Sequence, residues 1–369
     1  MTYRMSRLPF LLLLMASLSV TPAAAQRKAS DQEWKEVLAA AKKEGKVIVF
    51  GSPDPVMRKE VIPKFTAMYG VAVEFVAGRS SEFVARLRNE RAAGLYAVDV
   101  FLSGPDTTAN TLYGEKFIDP VKPLLVLPEV VDGSKWKNGK VWFADPEERY
   151  VVRPFSSVAS LLFINTDSVS PQELRSVKDL LNPKWRGKIS AEDPTATGAG
   201  ANMAAQLYHQ LGEEFVKKLY IDQKVVRTRD RRQMSDWLAR GTQPICLNCR
   251  EDDIRPLLKD GFKLVEIFEL AGLRGIINGS PWMLTIANKA PNPRAAQLFA
   301  NWILSKEGLE TYARGYGSAT LRTDMDESYL NPGIIPKAGG HYFDDTDWKW
   351  IITGRKEARE KVWSILKGH

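Results

Sequence analysis

The sequence has little of what most chemistries need. Of 369 residues only two are cysteine and three histidine. His209, His341 and His369 show no metal-ligand spacing among themselves or with the cysteines, so no zinc-site pattern is present. No Ser/His/Asp arrangement and no paired-carboxylate motif stands out, which leaves hydrolysis without a sequence signature. Beyond residue 25 no apolar run approaches the length of a membrane helix, and there is no internal repeat or low-complexity tract. Basic residues are not clustered with aromatics, so a nucleic-acid groove is not expected.

What is present begins at the N-terminus. MTYRMSRLPFLLLLMASLSVTPAAA has Arg4 and Arg7 ahead of an apolar run from Phe10 to Val20, then small residues at Ala23 and Ala25. That is the three-part secretory signal, expected to be cut after Ala25, and it directs the chain to the periplasm. No cysteine near the cut offers a lipid attachment point. Residues 1–25 hold two arginines and no acid, so the remainder carries +6 against +8 for the whole. This mild excess fits a solute binder. Composition is globular, with 26% charged and 44% hydrophobic residues, and the length exceeds one ordinary core, which predicts two lobes.

Apolar periodicity gives the order of elements. Ser30 and Glu33 form a capping-box pattern before a helix through Trp34, Val37 and Ala41 that Gly45 stops. Strand KVIVF, loop GSPDP, a helix from Val56 to Tyr69, strand VAVEFV, loop AGRSS, a helix from Glu82 to Ala93 and strand VDVFL follow. This alternation predicts an α/β lobe with a largely parallel sheet whose strand-end loops gather at one edge. Residues 119–154 resist assignment and read as a crossing between lobes. A second α/β run starts at VASLLFIN, with helices after DPTATGAG, over 231–240 and through DDIRPLLKD, and strands PICL and FKLVEIF. Strand MLTIA, helices over 293–304 and 306–314, and a last helix over 355–366 complete the chain. The expected division is lobe 1 in 26–125 and 276–323, lobe 2 in 126–275, and a tail, 324–369, packed on the lobes.

Several segments together resemble the solute-binding proteins of ABC importers, in the branch containing the ferric-ion binders. These are WKEVLAAAKKEGKVIVF, VEFVAGRSSEFVARLRNERAAG, FINTDSVSPQELRSVKDLLNPKWRGKI with DPTATGAG, and ANKAPNPRAAQLFANWILSKEGLE, in that family's order. The resemblance implies a two-lobed, type II periplasmic-binding-protein fold that closes on a solute about a hinge. It also implies a permease in the membrane as partner, a monomer in solution, no cofactor and no enzymatic step. Ferric members hold the metal with a His, a Glu and two adjacent Tyr, hard oxygen-rich ligands suited to Fe(III). Segment matching puts those positions at about Asp54, Gly104 and the pair Cys249 and Arg250, so nearly every ligand is gone. An arginine beside the cleft repels a trivalent cation and attracts an anion.

The family's anion seat is what survives. Thr197, Gly198 and Ala199 stand where related proteins place a synergistic anion, at a helix start whose free N–H groups and dipole favour negative charge. Arg231, Arg250 and Arg79 would offer bidentate forks to a carboxylate or phosphate, and Ser52, Asp54, Ser103 and Trp282 would complete the opposite wall. Each has a plainer reading as a cap, a solvated basic face or core packing. The expected solute is therefore a small organic anion: a carboxylate, phosphonate or phosphate ester. Two alternatives stay open. One is Fe(III) held with a synergistic anion or chelator. The other is an exported thiol oxidoreductase or redox sensor using Cys246 and Cys249, which in an exported protein can equally close into a structural disulfide.

Overall fold

The computed structural model describes residues 23–368 except 79, 197, 279 and 280. Residues 1–22 of the expected secretory signal, with Arg79 and Thr197, lie outside the described residues. The first helix, Ala23–Glu44, already runs through Ser30, so the capping-box pattern there does not mark its start; AAAQRKAS is itself rich in helix formers.

The first lobe is built on strands β1 (Lys46–Gly51), β2 (Ala72–Ala77), β3 (Val100–Ser103), β4 (Ile118–Asp119) and β12 (Met283–Ala287), in the order β2-β1-β3-β12-β4. The first three are mutually parallel, while β12, the returning chain, is antiparallel to β3 and β4. The sheet is thus mixed where a largely parallel one was expected. Alternate residues enter opposite cores: Val49, Val100, Leu102 and Leu284 join one, Phe50, Phe101 and Met283 the other. Both faces are covered by helices, which explains near-continuous apolar strands.

The second lobe uses β6 (Leu162–Asn165), β7 (Ile189–Glu192), β8 (Val226–Thr228), β9 (Ile245–Leu247) and β10 (Leu264–Ile267), in the order β10-β6-β9-β7-β8. Here too the sheet is mixed, with β7 parallel to β8 and β9 and the other two pairings antiparallel. Leu162, Ile164, Ile245 and Leu247 face the helices Ala199–Lys217 and Arg355–Leu366. Phe163 and Cys246 face the other way, onto Met234, Leu238 and Ile254.

Residues 126–155 were expected in the second lobe, as part of the crossing. They pack instead in the first-lobe core, through Val126, Val130, Trp136, Val152 and Phe155, because Asn301 accepts from the Val126 and Leu127 N–H groups and donates to the Leu124 carbonyl. The chain crosses at β5 (Ser157–Val158) and returns through β11 (Ile276–Asn278). The tail supplies a third strand to this pair: β13 (Phe343–Asp344) lies parallel to β11. Its last helix then packs on the second lobe, while Ile351 enters the first lobe's core.

Candidate functional site

Ligands of α/β sheets collect at the carboxyl ends of the strands. There β1 delivers Gly51 and Ser52, and Pro55 opens the next helix with Asp54 as its cap. Asp54 Oδ1 accepts from the backbone N–H of Val56 at 2.8 Å and Met57 at 3.1 Å, and Oδ2 accepts from the Tyr312 hydroxyl at 2.5 Å. Tyr312 is fully buried. Burial first, and then the Asp54 carboxylate, push its phenol far above the ordinary range, so it is a neutral donor.

Tyr312 belongs to an aromatic series. Phe155 and Trp282 meet edge-on at 4.8 Å, Trp282 and Tyr312 at 5.4 Å, and Tyr316 stacks on Tyr312 at 5.5 Å. Phe75, within β2, has the Arg58 guanidinium 5.3 Å from its ring centroid. Its ring lies so close over Gly51 that a Cβ there would stand 2.9 Å from it. From the second lobe, Arg250 caps the helix Glu251–Lys259 and Arg255 follows within it. These groups, Phe155 and Arg58 apart, line one interlobe cavity of about 570 Å³, with Met57 and Leu102 adding apolar surface.

A model of the family described as bacterial extracellular solute-binding protein matches residues 51–310. The chain belongs to this family. Iron uptake protein A1 of Synechocystis sp. is 25% identical over 130 residues, 35% of this chain and 32% of its own. The match thus spans about a third of that relative. Trichodesmium IdiA (FutA), solved in complex with iron and citrate, is similar in fold at TM-score 0.64 and 16% identity, over 87% of this chain and 99% of its own. AfuA of Actinobacillus pleuropneumoniae, solved with fructose 6-phosphate bound, is similar at TM-score 0.57 and 18% identity, over 87% and 97%. The fold of this solute-binding protein is accordingly the two-lobed one of those structures.

Of the residues singled out in the sequence, Ser52, Asp54, Trp282 and Arg250 come together in this cavity. Arg231 does not line it. It lies in a separate depression of about 660 Å³ with Glu192, Arg229, Arg232 and Asp253, and its guanidinium sits 3.2 Å from the Asp253 carboxylate. Ser103 is buried and its hydroxyl pairs with that of Thr108 at 2.7 Å, a local strand-to-helix contact. Gly198 and Ala199 open the helix Ala199–Lys217 as expected of an anion seat. A Cβ on Gly198 would fall 2.8 Å from Glu192 Oε1, so the solute-binding protein's own carboxylate already faces that positive helix end.

Cys246 and Cys249 are joined, their Cα atoms 5.7 Å apart. Both are buried against Phe163, Met234 and Ile254. Cys249 stands one residue before Arg250, the N-cap of the helix Glu251–Lys259, and is bridged to Cys246. The bridge spans Asn248, held at positive φ (56°), and fixes the turn that ends at Arg250. Among the described residues no three His, Cys, Asp or Glu side chains gather as a metal site, and no helix is long and apolar enough to cross a membrane.

Sequence reasoning missed Phe75, Tyr312, Tyr316 and Arg255. Tyr312 and Tyr316 are four apart on one helix face, a spacing that reads as core packing, and only the Asp54 contact 258 residues away in sequence gives Tyr312 a role at the cleft.

Proposed function

We propose that this solute-binding protein works in the periplasm as a monomer, captures a small organic anion by hinge closure, and presents it to the permease of an ABC importer. One observation carries the reading: Arg250 and Arg255 on the second lobe share a cavity with the Ser52–Asp54 loop and aromatic floor of the first. Guanidinium groups offer a planar, permanently charged fork to a carboxylate or phosphate. A solute that touches both walls stabilises the closed form by its differential contacts, and the mechanism contains no chemical step.

A second reading, Fe(III) carried with a chelator, draws on the iron and citrate in the complex of Trichodesmium IdiA. Asp54 and Tyr312 would be the oxygen donors here. Their mutual hydrogen bond and the neutral phenol weigh against it.

Native mass spectrometry of protein purified from a periplasm without added ligand tests both. An adduct of organic-acid mass that is absent from Arg250→Ala is the expected result. An iron-containing adduct would replace the proposal by the second reading.

A further inference from the structure

The cavity that this reading assigns to the solute is uneven in a way that narrows the ligand. Its charged lining side chains are Arg250, Arg255 and Asp54, two positive and one negative, so it carries a single net positive charge. Just outside the lining, Glu251, 2.9 Å from the Arg255 guanidinium, and Arg58, 5.3 Å from the Phe75 ring centroid, offset one another in sign. A di- or trianion would bring charge that no facing group offsets, at the desolvation cost of any unpaired charge. One carboxylate balances the site.

The remaining lining is apolar or aromatic. Met57, Phe75, Leu102, Trp282, Tyr312 and Tyr316 line the cavity, Ser52 being the other polar side chain there. Tyr316 is 43% exposed and Phe75 partly so, which leaves accessible ring surface on both. A sugar phosphate needs several hydroxyl partners, and beside Ser52 these rings offer only the Tyr316 hydroxyl and the Trp282 indole N–H, the Tyr312 hydroxyl being given to Asp54. Apolar ligand surface laid on such rings is favourable by area alone, and a planar ligand gains stacking besides.

Resting on the anion reading above, we infer that the solute is an amphiphilic monocarboxylate, its aromatic or similarly apolar body against Phe75 and Tyr316 and its carboxylate on Arg250 and Arg255.

The test is calorimetry of the full exported chain, refolded to remove any carried ligand, against acetate, benzoate, phenylacetate, indole-3-acetate, citrate and fructose 6-phosphate. Affinity should rise along the four monocarboxylates by about 100-fold or more, as buried apolar area grows. It should fall by about tenfold or more in Arg250→Ala, which removes a charge-assisted pair. Tyr316→Ala should flatten the rise with ring size across the four monocarboxylates. Arg250-dependent binding of citrate or fructose 6-phosphate in preference to the monocarboxylates would overturn the monocarboxylate assignment and leave the anion reading intact. Binding to none of the six, or binding indifferent to Arg250→Ala, would overturn both.

Discussion

At the scale of single residues, Asp54 shows how a binding loop is held before any solute arrives. One carboxylate caps a helix and receives a phenol from another helix of the same lobe, so the first wall is preorganised and its cost of ordering is met in folding. Glu266, on the edge strand of the second lobe, is held differently. Burial pushes its carboxyl up to about 7, Glu251 adds to the rise, and hydrogen bonds from Ser160 and Asn331 oppose it. The folded state therefore binds this proton more tightly than the unfolded chain does. The resulting stabilisation is complete below the ordinary carboxylate pKa of 4.5 and is lost as pH climbs from there through about 7. Glu266→Gln should flatten the urea midpoint between pH 5 and 8 and raise stability at pH 8 by about 1–2 kcal/mol after allowance for solvent screening. A midpoint with the wild-type pH slope would contradict this.

At the scale of elements, the Cys246–Cys249 bridge joins the end of β9 to the turn before the Arg250 helix. It closes a loop of four residues, so in the chain-entropy picture it contributes about 2 kcal/mol. Cys246→Ser with Cys249→Ser should lower unfolding stability by about that amount and raise amide exchange over 248–252 more than in the neighbouring strands. Equal exchange in the two forms would mean the turn holds itself.

The elements legible in the sequence are those whose signals are local. The helices Arg231–Arg240, Pro293–Leu304 and Arg355–Leu366 have the bounds that periodicity gives. The first has Asp230 accepting from Arg232 and Gln233 at one end and Gly241 in the left-handed region at the other; the second has proline at its start. Residues 126–155 were illegible for the opposite reason, since their partners, such as Asn301, lie some 175 residues onward. The cleft divides the same way. Ser52, Asp54 and Arg250 sit at strand ends that a reader can locate, whereas the rings of Phe75, Tyr312 and Tyr316 have the spacing of core residues and reach the cavity only through tertiary packing.

At the scale of the whole molecule, the tail ties the lobes together. Arg355, buried in the tail, lies 2.9 Å from Asp106 of the first lobe and 3.0 Å from Asp345 beside the hinge. Arg359, one turn on, contacts Asp106 and also Asn202 of the second lobe. Trp348 meets Tyr113 edge-on at 4.9 Å in the same seam. Asp106→Asn removes a half-exposed partner and leaves Arg355 its contact with Asp345, so it should cost about 1 kcal/mol in unfolding yet broaden the distribution of lobe separations seen by small-angle scattering. Arg355→Gln strands Asp345 in the interior and should cost about 3–5 kcal/mol. A scattering profile unchanged in both variants would show that the tail is a passive cover.

The position of β13 among the hinge strands has a further consequence for how the molecule comes into being. A chain made from its N-terminus reaches residue 275 with every strand of the second sheet available, while the first sheet still lacks β12 and the hinge lacks two of its three strands. The second sheet can therefore pair ahead of the first, although the core of its lobe stays open until the helix Arg355–Leu366 packs on it. The mutual attitude of the lobes is set only when Phe343 and Asp344 pair with β11, within the last thirty or so residues. Until then a nearly full-length chain holds paired strands and an unfinished clamp, and loss of the piece from β13 onward would take both the grip on a solute and the cover of the second lobe's core.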